Sequence, residues 1–152
     1  MTKHSTKKER DDKRYLLIHK WEMVSPAYKA LTGDEVRVYQ DMRIRYNGRN
    51  NGRIVYPTRQ AGKVIHKSHI TGGKRIARLI DLGFVKVRQE STFGQKRLSR
   101  EYELTAIGRA QAAKRNKLPS GTNEFLRWTA KDIADHDAKN AEVNQGKKTN
   151  HR

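Results

Sequence analysis

Between Thr32 and Tyr46 the apolar residues Val38, Tyr39, Met42 and Tyr46 recur at the three- and four-residue spacing that places them on one face of a helix. Thr32 and Glu35 stand at capping-box spacing before them, and Asp34 and Glu35 suit the positive end of a helix dipole. The same rhythm returns between Pro57 and Val85. Ala61, Val64 and Ile65 form one short stripe, and Ile76, Leu79 and Ile80 form another. The polar run His66-Lys67-Ser68 separates them and predicts a tight turn. Thr58 is read as the cap of the first of these helices and Ser68 as the cap of the second. Gly83 ends the second helix, because glycine enters the left-handed conformation at little steric cost.

The period changes after Gly83. Phe84, Val85 and Val87, and later Tyr102 and Leu104, have strand character, and Arg53 to Tyr56 forms a further short strand. A small three-stranded sheet is expected, with a hairpin whose tip carries Gly94, Gln95, Lys96 and Arg97. Asn47 to Gly52 reads N-G-R-N-N-G, a loop of residues that tolerate positive φ, and it lacks the spacing and ending of a P-loop. Upstream, Tyr15 to Ile18 opens the folded part, with Trp21 and Met23 close behind, and Ser25-Pro26 starts a short helix or turn. Downstream, Ala106 to Ala113 reads as a short helix and Asn116 to Gly121 as a linker. A last helix is expected from Thr122 to about Ala134, packing back through Phe125, Leu126, Trp128 and Ile133. The fold class is α+β and mainly helical, flanked by basic disordered tails. The boundaries are an arm over 1–14, a domain over 15–105, a helical extension over 106–134 and a tail over 135–152.

Charge sharpens this outline. The chain of 152 residues has 34 Lys and Arg against 16 acids, a formal net charge of +18. Residues 15–104 hold eighteen cations against eight acids, so the tails do not account for the excess. From Arg37 to Ile80 there are eleven Lys and Arg and a single acid, Asp41. Such a surface attracts polyanions, DNA or RNA first. A membrane surface competes for the same charge, but no helix pairs it with a broad apolar face, and no stretch could span a bilayer. The chain has no cysteine, which removes disulfides, thiol catalysis and cysteine-based zinc sites. No H-E-x-x-H or catalytic motif is present, and Asp132, Asp135 and Asp137 near His136 lie in a helix-to-tail region without glycine punctuation and are not read as a metal site. The expectation is a non-enzymatic, cytoplasmic protein without cofactor or metal.

The order of helices, helix-turn-helix and basic-tipped hairpin resembles the winged helix-turn-helix family of bacterial DNA-binding proteins. The run Ser68-His69-Ile70-Thr71, then Ile76, Leu79, Gly83, Phe84 and Val85, is similar to the family's S-x-x-T…L-x-x-x-G-[FLY]-[IV] pattern. The Y-N-G-R-N-N-G-R-I block before it resembles a subgroup with a longer loop at that place. The resemblance implies that Lys67, Ser68, His69, Thr71, Lys74 and Arg75 form the turn and recognition helix, and that Gln95, Lys96 and Arg97 form a wing on phosphate or the minor groove. Arg49, Arg59 and Arg78 complete the expected DNA-binding set. Neither three- nor four-residue spacing from Thr71 separates Lys74 from Arg75; the fork of arginine favours Arg75 as the reader of guanine and Lys74 as a phosphate contact.

The pair Gly72-Gly73 departs from the family, which uses helix formers there. Three explanations stand open: close approach to DNA, close approach to the preceding helix, or a first turn that orders on binding. The expected partner is double-stranded DNA, with a homodimer as one assembly and no membrane. The expected role is transcriptional regulation. The alternatives are a plasmid or phage replication factor and an RNA- or ribosome-associated basic protein. Aromatics on helix stripes disfavour the last.

Overall fold

The computed structural model describes residues 16–92, 99–108 and 121–149. Among these residues six helices and three short strands follow in order: α1 (Lys20–Met23), α2 (Pro26–Lys29), α3 (Gly33–Ile44), β1 (Ile54–Val55), α4 (Thr58–Val64), α5 (His69–Asp81), β2 (Val85–Gln89), β3 (Glu101–Leu104) and α6 (Ala130–Thr149), with a 3-10 turn at Glu124–Arg127 before α6. The strands form one antiparallel sheet in the order β1-β3-β2. Ile54 lies opposite Tyr102, and Val85 and Val87 lie opposite Leu104 and Tyr102. The arrangement is α+β, mostly helical and winged-helix-like.

Local signals explain most of these boundaries. Thr32 accepts from the Glu35 amide while Glu35 accepts from the Thr32 amide, closing the capping box at the start of α3. Ser25 caps α2 and Ser68 caps α5, each accepting from the amide three residues on. Gly83 turns at φ +79° directly after α5. Thr58 is not a cap: Pro57 occupies that position in extended geometry, makes no side-chain cap, and leaves Thr58 as the first residue of α4.

The core joins most of these elements. Val38, Tyr39 and Met42 of α3, Ala61 and Ile65 around α4, Ile76 and Leu79 of α5, and Tyr102 and Leu104 of β3 are buried together. Phe84 sits among three rings, Tyr28, Tyr39 and Phe125, with centroids 6.1, 5.2 and 4.7 Å away. Asn51 ties the loop before β1 to the end of β3. Its amide donates to the Leu104 and Ile107 carbonyls and its oxygen accepts from the Leu104 amide.

The C-terminal region differs from a single helix over 122–134. Asn123 is left-handed at φ 49°, Phe125 enters the core from the 3-10 turn, and Trp128 is extended and breaks the path. Thr129 and Asp132 then exchange hydrogen bonds and start α6. This helix runs to Thr149, through a segment where the end of the apolar pattern at Ile133 predicts a tail. Helix-forming Ala134, Ala138, Ala141 and Glu142 continue it without an apolar stripe. The short helix expected over 106–113 begins instead as a turn at Thr105 to Ile107, and residues 109–120 lie outside the described residues.

Candidate nucleic-acid interface

The two helices of the helix-turn-helix meet at glycines. A Cβ on Gly72 would lie 2.4 Å from the Gly62 nitrogen and 2.6 Å from the Thr58 carbonyl oxygen, so α5 crosses α4 backbone to backbone. Close approach to the preceding helix therefore accounts for Gly72. Gly73 has no such constraint: its Cβ would meet only the Thr58 methyl at 3.4 Å. The turn is closed by the Lys67 amide donating to the Gly62 carbonyl, with His66 in the left-handed region at φ 56°. Ser68 and Thr71 are partners at the N-terminus of α5, with hydroxyl oxygens 3.1 Å apart.

The side chains of α5 divide into two groups. Arg75 turns toward the start of α3, where Nη1 donates to Glu35 at 3.2 Å and Nε lies 3.6 Å from Asp34. Lys67 donates to the same Asp34. The Lys67 hydrogen bond holds the Asp34 carboxyl below its usual pKa, and the charges of Lys67, Arg75 and Arg37 add to the effect. Arg78 reaches α6, with Nη2 2.7 Å from an Asp137 oxygen and Nη1 3.1 Å from His136 Nδ1. Thus Lys67, Arg75 and Arg78 each face an acid. A cleft of about 500 Å³ lies here, lined in part by Thr32, Glu35, Lys74, Arg78, Asp137 and Asn140.

The other group points to solvent. His69, Ile70 and Lys74 are exposed, and Lys74 has no ion-pair partner among the described residues. Arg59 on α4 and Arg49 in the loop before β1 are also exposed, as are Arg53 and Lys63. The structure therefore brings Lys67, Ser68, His69, Thr71, Lys74, Arg75 and Arg78 onto one helix and its leading turn, while Arg49 and Arg59 lie on neighbouring elements. Gln95, Lys96 and Arg97 lie outside the described residues. β2 and β3, which lead to them, pair antiparallel with an irregularity between Val87 and Gln89.

Ile70, which a reading by charge passes over, is 63% exposed. Its signal in the sequence is angular. At 100° per residue it falls more than 100° from the buried Ile76 and Leu79, on the arc of Lys74 and Ala77. The pairing of Arg75 with Glu35 had no local signal, since 40 residues separate them.

The described residues contain no group of three His, Cys, Asp or Glu side chains placed to hold a metal ion. No helix among them is long and apolar enough to cross a membrane. No family model matches the chain, and no curated protein matches it. It is similar to a solved structure described as "N-Terminal domain of DNA binding protein", at 21% identity and a TM-score of 0.46, over 68% of this chain and 83% of that one.

Proposed function

We propose that this protein binds double-stranded DNA in a sequence-specific manner, with α5 in the major groove and the β2–β3 hairpin beside it, and acts as a transcriptional regulator. The observation that carries this reading is the exposed N-terminal half of α5, where His69, Ile70 and Lys74, which has no ion-pair partner among the described residues, project from a capped helix in a chain of net charge +18. Helix N-termini supply the base contacts in helix-turn-helix docking, and cations neutralise the flanking phosphates. Ser68, Thr71, Arg49 and Arg59 are assigned to the backbone of the duplex, and Lys96 and Arg97 to the wing contact.

Burial of the aromatics favours duplex over single-stranded RNA. Tyr39, Tyr56, Tyr102, Phe84 and Phe125 are all at most 1% exposed, so these five rings are closed to splayed bases.

The test is duplex binding across a salt series, followed by sequencing of genomic fragments retained by the full chain. Affinity should fall steeply with salt, with a log–log slope of about −0.9 per neutralised phosphate. Replacing Lys96 and Arg97 with Ala should flatten that slope by about one per lost contact. Enrichment of promoter sites supports regulation, enrichment of a replication origin points to an initiator, and salt-insensitive binding without enrichment rejects the proposal.

A further inference from the structure

The solvent-facing arc of α5 is unusual in what it does not carry. At 100° per residue, Ile70, Gly73, Lys74, Ala77 and Asp81 fall within a sector of about 100°. Only Lys74 in this sector is cationic. Arg75 and Arg78, the two side chains with the planar fork that reads guanine, stand on the neighbouring sector and are held there by Glu35, Asp34 and Asp137. The centre of the arc is apolar and small: Ile70 and Ala77 are exposed, and half-exposed Gly73 carries no side chain, with the Thr58 methyl 3.4 Å from where its Cβ would lie.

A singly exposed isoleucine needs no explanation by itself. Ile70 differs in its setting. It lies in the first turn of the helix that follows the tight turn, beside exposed His69 and Lys74, and the adjacent α4 presents exposed Arg59 and Lys63. The complementary occupant is a surface with anionic margins and an apolar feature on its floor. A DNA major groove has that form, because the thymine 5-methyl group is the apolar element of its base edges. Asp81 stands eleven residues beyond Ile70, about 16 Å along the helix axis, which places it away from bases met by the first turns.

Resting on the proposed duplex binding, we propose that Ile70 is a specificity-determining residue that packs on a thymine methyl, with Ala77 and Gly73 permitting the close approach. The preferred site then contains a required thymine under the N-terminal half of α5, and base discrimination there is apolar rather than an arginine–guanine fork.

The experiment selects duplexes from a random pool with the full chain. Each thymine of the selected site is then replaced by deoxyuridine, which removes the methyl and leaves the pairing edge intact. One or two positions should lose about fourfold in affinity, the weight of one buried methyl group. Ile70→Ala should bind the thymine and uracil sites equally, at the affinity of wild type on the uracil site, while its thermal unfolding stays unchanged because the side chain is exposed. Uniform indifference of wild type to uracil overturns the inference and leaves duplex binding intact. Equal loss on both sites in Ile70→Ala, or retention of methyl discrimination by that variant, also overturns it. Failure of wild type to bind any duplex overturns it together with the reading beneath it.

Discussion

Two adjacent glycines on α5 have opposite reasons to be there. Gly72 faces the backbone of α4 with no room for a methyl, whereas Gly73 faces a single methyl at ordinary contact distance. Gly72→Ala should destabilise the protein by about 2 kcal/mol or more, since the obstructing atoms are backbone and cannot rotate away. Gly73→Ala should stabilise it by about 0.5–1 kcal/mol through helix propensity. Urea unfolding of both variants checks the pair; equal effects would mean that the α4–α5 crossing is looser than described. Asp34 offers a prediction in pH. Its folded pKa is depressed by Lys67, so its contribution to stability is present above the usual value of 3.8 and is lost as pH falls through the lower folded value. Asp34→Asn should therefore flatten the acid limb of the stability–pH curve below pH 3.8 and leave its neutral region parallel to wild type.

At the scale of elements, α6 restrains α5. Asp137 and His136 hold Arg78, whose side chain is 17% exposed. Asp137→Ala releases that guanidinium beside the proposed groove contact. Affinity for all duplexes should rise alike, and the salt slope should steepen by about one, the signature of an added phosphate contact. Fluorescence anisotropy at several salt concentrations reads both quantities, and an unchanged slope would show that Arg78 does not reach the backbone of the duplex. The start of α6 is set locally by Thr129 and Asp132. Its position over α5 depends on Phe125 and Ile133, which anchor the C-terminal region in the core.

Across the whole molecule, one buried charge cluster joins the N-terminal helices to α3. Glu22 is completely buried and accepts from Arg43 at 2.7 and 2.9 Å and from the Tyr39 hydroxyl at 2.6 Å. Burial raises the Tyr39 phenol far above its usual pKa, so it remains a donor to Glu22. Glu22→Ala leaves Arg43 buried and uncompensated, and should cost about 3–5 kcal/mol. The double replacement Glu22→Leu with Arg43→Met should cost less than Glu22→Ala, because it removes both charges. A denaturation series with both variants decides this, and a milder loss in the single variant would mean that water reaches Arg43.

The sequence by itself determined the elements whose causes are local. The capping box at Thr32 and Glu35, the Ser68 cap, the stop at Gly83 and the change from helical to strand period all act within a few residues, and each recurs in the structure. It also made visible the α+β class and the polar face of α5. Tertiary structure alone decided which side chains on that face are free. Lys74 and Arg75 are equivalent by spacing from Thr71, and only the arrival of Asp34 and Glu35 from α3 draws Arg75 aside. The same holds for Gly72, whose crowding partner is Gly62 of α4, and for Glu22, whose partner Arg43 is 21 residues away. The reason is physical: caps and periodicity are short-range properties of the backbone, whereas ion pairs and close crossings depend on which elements meet after the chain has folded.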